Sequence, residues 1–378
     1  MSGGGSGGHI TPLLSLAHEL KQLKSDCEIV YIGHKGDRFD SLKLSTDNFD
    51  FIAFIQAGKF RRYHGEGFVS HFNPKTFILN IRDFFRLGGS VLASLRILRK
   101  VRADVMFSKG GFVSLPVGLA AHILRIPIIT HDSDSVPGLA NRVVGRWATV
   151  RTSGMPLDDS SGKLYVGIPI KEEIKQAGPE AQKKLKKSLG LSVESQLLLV
   201  GGAGNGSRRI NQLLAVIAPH LLSNNPGLHI VHFAGQAKQV ETAQEYHATL
   251  DALQRKRVEV FGFSDDFFKY IAAADLIISR AGATSIAEFA AAAKACIIIP
   301  SPYLTGGHQL KNAKVLQDKD AAVVVADGVD PDELAALIGE LLSNDSRRAH
   351  LAANLHKQAM PDASSRLAAI ILKTAKKG

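Results

Sequence analysis

Glu288, Gln309 and Asn312 fall in one stretch, Ser279 to Ala313, whose residue types suit a nucleotide sugar. A strand expected over 275–279 ends there in small residues, Ala281, Gly282 and Ala283, which let backbone N–H groups approach an anion. The helix expected next, from Ile286 to Lys294, adds the positive end of its dipole toward a pyrophosphate. Glu288, about one turn in, can accept hydrogen bonds from two ribose hydroxyls, and Gln309 can bond sugar hydroxyls. Alone, the stretch reads equally well as an ordinary strand–turn–helix of any α/β domain.

Three more glycine turns shift that balance: Gly3 to Gly8, Ser108 to Phe112, and Gly201 to Gly206. The first is followed by His9 and a helix with Leu13, Leu16, Ala17 and Leu20 on one face, where Pro12 suits the first turn. Imidazole is the side chain that titrates near neutral pH, so His9 is the first choice for a general base. A loop histidine that only orients a phosphate is the alternative. A strand over 126–130 delivers His131, Asp132 and Asp134 to its carboxyl end, where open α/β sheets bind ligands. The other reading is a surface turn rich in Asp and Ser. Asp132 is the second candidate base, and the residues do not choose between the two.

The elements that must position these groups alternate. Strands are expected over 28–33, 51–55, 104–107, 126–130, 197–200, 229–235, 258–263, 275–279, 296–299 and 321–325, with helices between. A helix is expected from Pro331 to Leu342 with Asp330 as its cap, and a terminal amphipathic helix over 361–377. Two blocks with glycine turns at strand ends imply an α/β protein of two Rossmann-like, doubly wound parallel-sheet domains facing a cleft. The expected division is 1–166, a hinge at 167–171 marked by Gly and Pro, 172–360, and a terminal segment 361–378 packing back on the first domain. Only Met1 and Ser2 precede Gly3, so the normally central first strand is expected to be missing. A true start further upstream is the favoured explanation.

The chain has 378 residues, enough for two domains, and the apolar and charged fractions of a globular protein. Cys27 and Cys296 are expected as reduced thiols of a cytoplasmic protein. No apolar run reaches the ~20 residues needed to span a bilayer. The net charge of +11 concentrates between Lys59 and Arg102. There Arg82, Arg86, Arg96 and Arg99 interleave with Phe77, Phe84 and Phe85, which suits docking on an anionic bilayer. A pair of amphipathic helices with core phenylalanines is the other reading. No nucleic-acid motif is present.

GGGSGGHITP (3–12), KGGFVSLP (109–116), HDSDSVPGLANR (131–142), VGIPIK (166–171), GGAGNGSRRIN (201–211), FSDDF (263–267) and SRAGATSIAE followed by GGHQLKNA (279–313) occur in the order seen in the MurG family. The chain resembles that family over nearly its whole length. The resemblance implies a GT-B fold and an inverting transfer of GlcNAc from UDP-GlcNAc to the C4 hydroxyl of an undecaprenyl-pyrophosphate-linked muramoyl sugar, lipid I to lipid II. That is a step of peptidoglycan synthesis, on the cytoplasmic face of the membrane. It further implies that Ser6, Gly7 and Gly8 border the donor sugar and acceptor pyrophosphate, with Gly110 and Gly111 nearby. Phe263 and Ser264 would lie near uracil. Ala283, Thr284, Ser285, Ile286 and Ala287 would cradle the phosphates, Glu288 would hold the ribose, and Gln309 the GlcNAc, with Asn312 in support. No cofactor is implied beyond the donor. No Asp-x-Asp pair stands near the donor loop, so no protein-bound metal is expected. Expected partners are UDP-GlcNAc, the lipid-linked acceptor, an anionic membrane and other cell-wall synthesis proteins.

The chain departs from the family in several places. His131-Asp132-Ser133-Asp134 stands where His-Glu-Gln-Asn is common, so Asp134 cannot donate amide hydrogen bonds. Lys171 replaces an arginine and loses its bidentate geometry. Ala203 replaces a serine, and Gly306-Gly307-His308 a more polar run. The alternatives are a GT-B enzyme with another lipid acceptor, a UDP-GlcNAc 2-epimerase, or a non-catalytic nucleotide-sugar-binding subunit.

Overall fold

The computed structural model describes residues 1–4, 7–36, 49–58, 74–157, 159–175, 178–201, 206–264 and 266–375, and among these not the side chains of 7–9, 74–85, 159, 175 and 305. The chain forms two compact units, residues 1–170 with 362–378, and residues 171–361.

The first unit carries β1 (Ser2–Gly3), α1 (Gly7–Leu23), β2 (Val30–His34), β3 (Phe51–Ile55), α2 (Pro74–Lys100), β4 (Met106–Gly110), α3 (Ser114–Ile123), β5 (Ile128–Asp132), α4 (Leu139–Val144), β6 (Val150–Ser153) and β7 (Leu164–Tyr165). Its strands pair in parallel in the order β3-β2-β1-β4-β5-β6-β7. A parallel sheet is covered on both faces, and side chains alternate accordingly. Tyr31, Phe107 and Ile129 enter one core with Leu13, Leu16 and Leu20 of α1 and with Leu367 and Ile371 of the C-terminal helix (Ala363–Ala375). Their neighbours Ile32, Met106 and Ile128 enter the other, with Leu98 of α2, Val117 of α3 and Val144 of α4.

The expectation of a missing first strand is corrected. Ser2 pairs with Ile32 on one side and Ser108 on the other, and Gly3 with Gly110, so β1 occupies the centre of the sheet. Two residues make a short ladder, and side chains lengthen it. The Ser2 hydroxyl donates to Ile32 O (3.1 Å), Tyr31 Oη donates to Gly3 O (2.7 Å), and Ser114 Oγ donates to Ser2 O (3.1 Å). One other boundary differs. The first helix begins at Gly7, so Pro12 lies inside it rather than in its first turn. Among the described residues the basic segment holds a 27-residue helix, α2, which runs through Gly88 and Gly89. A mid-helix glycine costs only about 1 kcal/mol, less than a packed apolar face returns.

The second unit carries α5 (Glu172–Lys175), α6 (Pro179–Ser188), β8 (Gln196–Gly201), α7 (Arg208–Asn224), β9 (Leu228–Phe233), α8 (Gln239–Thr249), α9 (Ala252–Arg255), β10 (Val258–Phe261), α10 (Phe267–Ala273), β11 (Leu276–Ser279), α11 (Ala283–Ala291), β12 (Cys296–Ile298), α12 (His308–Asp318), β13 (Val323–Val324), α13 (Pro331–Ser343) and α14 (Asp345–His356). The parallel order is β10-β9-β8-β11-β12-β13. Leu198, Val200, Ile230 and Ile278 pack on Leu214, Ile217 and Leu221 of α7 and Leu334 and Ile338 of α13. Asp330 caps α13 by accepting from Asp332 N (2.9 Å), as its sequence suggests. Cys27 and Cys296 are free thiols.

Leu367 is fully buried in the core it shares with α1. Leu367→Ala should destabilise the first unit by about 2–5 kcal/mol. Urea unfolding should show an earlier midpoint at unchanged slope; an unmoved midpoint would remove the C-terminal helix from that core.

Candidate active site

Each sheet reverses its strand order once, between β1 and β4 in the first unit and between β8 and β11 in the second. The crevice beyond the carboxyl ends of strands at such a reversal is where doubly wound sheets bind ligands. In each unit glycine turns sit there: Gly3–Gly4 and Gly110–Gly111 in the first, and in the second Gly201, at the end of β8, and Gly282, just after β11.

In the first unit the two turns meet backbone to backbone. Gly111 has φ +83°, and a Cβ on it would overlap the Gly4 carbonyl oxygen. Asn141, from α4, knits the adjoining strand ends. Its Nδ2 donates to His131 O (3.0 Å) and Asp132 Oδ1 (3.0 Å), and its Oδ1 accepts from Ser108 Oγ (2.6 Å). The other Asp132 oxygen accepts from Lys163 Nζ at 2.6 Å. Lys109 is buried and donates to Ser133 Oγ. Burial pushes its amine down to about 8, with Asp134 and Asp132 pulling upward.

His131 points into the sheet. Thr152 Oγ1 donates to Thr130 O (3.0 Å), so His131 Nδ1 must be the donor in its 3.0 Å contact with Thr152 Oγ1. The ring hydrogen is thus on Nδ1, and Nε2 has no hydrogen-bond partner among the described residues. Burial, then Lys109 and Lys163, hold this imidazole well below its ordinary pKa. Gly7, Gly8 and His9 lie in the first turn of α1, with the His9 side chain outside the described residues, as is Ser6.

In the second unit α11 starts at Ala283, three residues earlier than its periodicity suggests, and no side chain caps it at Gly282. Ala283 and Ile286 are buried; Thr284, Ser285, Ala287 and Glu288 are half-buried. Asn312 Nδ2 donates to Ala281 O (3.0 Å), and Gln309 Oε1 accepts from Ser301 N (2.9 Å), which fixes α12 against the strand ends. Phe263 and Ser264 lie between elements whose aromatics pack together: Phe233 stacks on Phe261 at 5.3 Å and meets Phe267 edge-to-face at 4.7 Å, centroid to centroid. Ser264 Oγ accepts from Asp266 N (3.1 Å). The Lys171 ammonium lies 4.9 Å from the Phe268 ring centroid. Ala203 is outside the described residues.

Four residues were missed by sequence reasoning. Asn141 and Arg280 lie inside quoted motifs, but nothing in their spacing singled them out. Arg280 donates to Ser207 Oγ from Nε (3.0 Å) and Nη2 (2.7 Å) and to Ile299 O (3.0 Å), and it pairs with Asp327. One guanidinium therefore joins the cap of α7 to the ends of β11 and β12. Asp327 and Lys163 carry no motif signal. Of the basic segment, Arg86, Arg96 and Arg99 are exposed on α2. The side chains of Phe77, Arg82, Phe84 and Phe85 are outside the described residues.

Known proteins share this architecture. Residues 1–151 match the glycosyltransferase family 28 N-terminal domain and residues 196–367 its C-terminal domain. A solved structure of MurG from Acinetobacter baumannii superposes with TM-score 0.70 at 24% identity, over 99% of this chain and 98% of that one. A putative UDP-N-acetylglucosamine 2-epimerase from Listeria monocytogenes superposes with TM-score 0.65 at 11% identity, over 100% and 96%. The two parallel sheets and their glycine-turned reversals define a GT-B glycosyltransferase fold. A Halothermothrix orenii protein is 32% identical over 99% of this chain and 98% of its own length. Its name is UDP-N-acetylglucosamine–N-acetylmuramyl-(pentapeptide) pyrophosphoryl-undecaprenol N-acetylglucosamine transferase. The chain belongs to that transferase family, the MurG family.

Gly206 has φ +65°, and a Cβ there would overlap the Ala234 carbonyl. Gly206→Ala should cost at least about 1–3 kcal/mol. Gly227, where a Cβ would meet open space, is the control. Calorimetry should show a lowered unfolding temperature for Gly206→Ala and almost none for Gly227→Ala; equal shifts would mean the backbones are not in close contact.

Proposed function

We propose that this chain moves GlcNAc from UDP-GlcNAc to the C4 hydroxyl of an N-acetylmuramyl acceptor carried on an undecaprenyl pyrophosphate. The observation that carries this is full-length membership of the transferase family, with glycine turns at both strand-order reversals. The reaction is a direct displacement. A base takes the C4 hydroxyl proton, the oxygen bonds to the donor's anomeric carbon, and the bond to UDP breaks with inversion. Charge grows on the leaving diphosphate, and the first turn of α11, with its dipole directed outward, suits its stabilisation. No cofactor or protein-bound metal enters this reading.

The residues take these parts. Ala283 to Ala287 cradle the diphosphate and Glu288 accepts from the ribose. The Phe263–Ser264 turn meets uracil, and Gln309 meets the GlcNAc hydroxyls with Asn312 behind it. Gly7, Gly8, Gly110 and Gly111 border the acceptor pyrophosphate, and His9 is the base. Asp132 has both oxygens engaged in hydrogen bonds, which suits an orienting carboxylate better than a proton acceptor.

No helix among the described residues is long and apolar enough to cross a membrane. The acceptor is nevertheless lipid-linked, so the protein works as a peripheral enzyme on the cytoplasmic leaflet. Exposed Leu92, Arg96 and Arg99 share a face of α2 at i, i+4, i+7 spacing, a pattern that suits an anionic surface.

Transfer of labelled GlcNAc to a short-chain lipid I analogue tests the reaction; no product with intact UDP binding would overturn it. Glu288→Ala should weaken UDP-GlcNAc binding by about tenfold or more, the loss of a charged acceptor's hydrogen bonds. Unchanged affinity by titration calorimetry would take Glu288 out of the site. Replacing Arg82, Arg86, Arg96 and Arg99 with Ser should weaken binding to phosphatidylglycerol vesicles, at about 1 kcal/mol per charge. Turnover of a soluble acceptor should stay near the parent value; undiminished vesicle binding would move the docking surface elsewhere.

A further inference from the structure

Lys163 comes from the turn ahead of β7, outside every motif that marks the family, yet its amine reaches the end of β5 and sits 2.6 Å from Asp132 Oδ2. The pair is almost sealed from water, at 10% and 5% side-chain exposure. Two lysines and two aspartates gather at this strand end: Lys109 feels the charges of Asp132 and Asp134, and Lys163 binds Asp132. The group is balanced in charge, which is the condition for burying ions at tolerable cost. Asp132 receives one donor on each oxygen, Asn141 on Oδ1 and Lys163 on Oδ2. A carboxylate has about four lone-pair sites, so it can still accept from a substrate hydroxyl while its plane is fixed.

We infer that Lys163 is a positioning residue for the transfer proposed above: it holds the Asp132 carboxylate in the orientation in which it accepts a hydrogen bond from the sugar acceptor and orients it. Asp132 does not take the reaction's proton. The neighbouring His131 cannot take it either, because its ring lies inside the sheet beside two ammonium groups. The role rests on the proposed reaction and goes beyond it.

The test is kinetic, with UDP-GlcNAc and a short-chain lipid I analogue, on the full chain and its variants. Lys163→Met should lower kcat by about 10²-fold, the effect of a misplaced orienting group, and leave KM for UDP-GlcNAc within about twofold. Lys163→Arg, which restores a cation, should recover most of kcat. The double change Lys163→Met with Asp132→Asn should be no slower than Asp132→Asn alone, because the lysine acts only through the aspartate. That variant carries no unpaired buried charge, so it reads out even where Lys163→Met folds poorly. Parent-like kcat in Lys163→Met, or losses that multiply in the double variant, would overturn the role. No transfer by the unmodified chain would overturn the reaction itself, and this role with it.

Discussion

Close backbone contact beyond the carboxyl ends of the strands is the constraint from which the rest of each unit follows. Gly111 lies against the Gly4 carbonyl at the first unit's reversal and Gly206 against Ala234 O at the end of β9, and neither position has room for a Cβ. Turns packed this closely expose peptide N–H groups with no side chain in front of them, the surface a diphosphate needs. The turns can approach only if the strands beneath end in step. That requires a parallel sheet closed on both faces by helices, hence the alternating core residues of β2, β4 and β5 and the apolar stripe of α7. Arg280 extends the same logic in side-chain form by tying the cap of α7 to the ends of two strands.

Two aspartates with several framework donors show that location in the sheet, rather than the donor set, separates a site from a strut. Asp275 opens β11 at its amino end and accepts from Leu197 N (2.7 Å), Gln182 Nε2 (3.0 Å) and Lys186 Nζ (2.7 Å). Every donor there comes from the protein's own framework, and the opposite end of the sheet holds the reversal and its glycine turns. Asp132 has a similar set of partners, but at the carboxyl end of β5, next to the reversal. Both networks stabilise the strand they end on; only the second stands where a ligand can reach it.

Much of this was legible in the sequence because periodicity reports burial. The central strands 28–33, 197–200 and 275–279 fall within a few residues of where they form, and Asp330 caps its helix. What escaped has physical reasons. β6 and β7 are edge-side and short, VRTS and LY, with too few residues for a pattern. β1 has two residues, and hydrogen bonds from Ser2, Tyr31 and Ser114 sustain it, contacts up to 112 residues apart in the chain. Lys163 and Asp327 are likewise defined by long-range partners, and no local spacing encodes a partner 31 or 47 residues away.

The distribution of charge follows the same division between interior balance and surface excess. Between residues 59 and 102 ten lysines and arginines face two acidic residues, so this segment alone supplies eight of the eleven excess positive charges. Around Asp132, by contrast, two lysines, Lys109 and Lys163, match two aspartates, Asp132 and Asp134, and an unmatched charge in so enclosed a place would be costly. This excess acts at long range, over roughly a Debye length of 8 Å in physiological salt. It also lies beside exposed aromatic surface: Phe51 and Phe54 stand out from the edge strand β3, with the Lys100 ammonium 5.7 Å from the Phe51 ring centroid. An edge strand with bare phenylalanines invites self-pairing unless charge or a partner covers it. A cationic rim of this kind repels a second copy of the same edge.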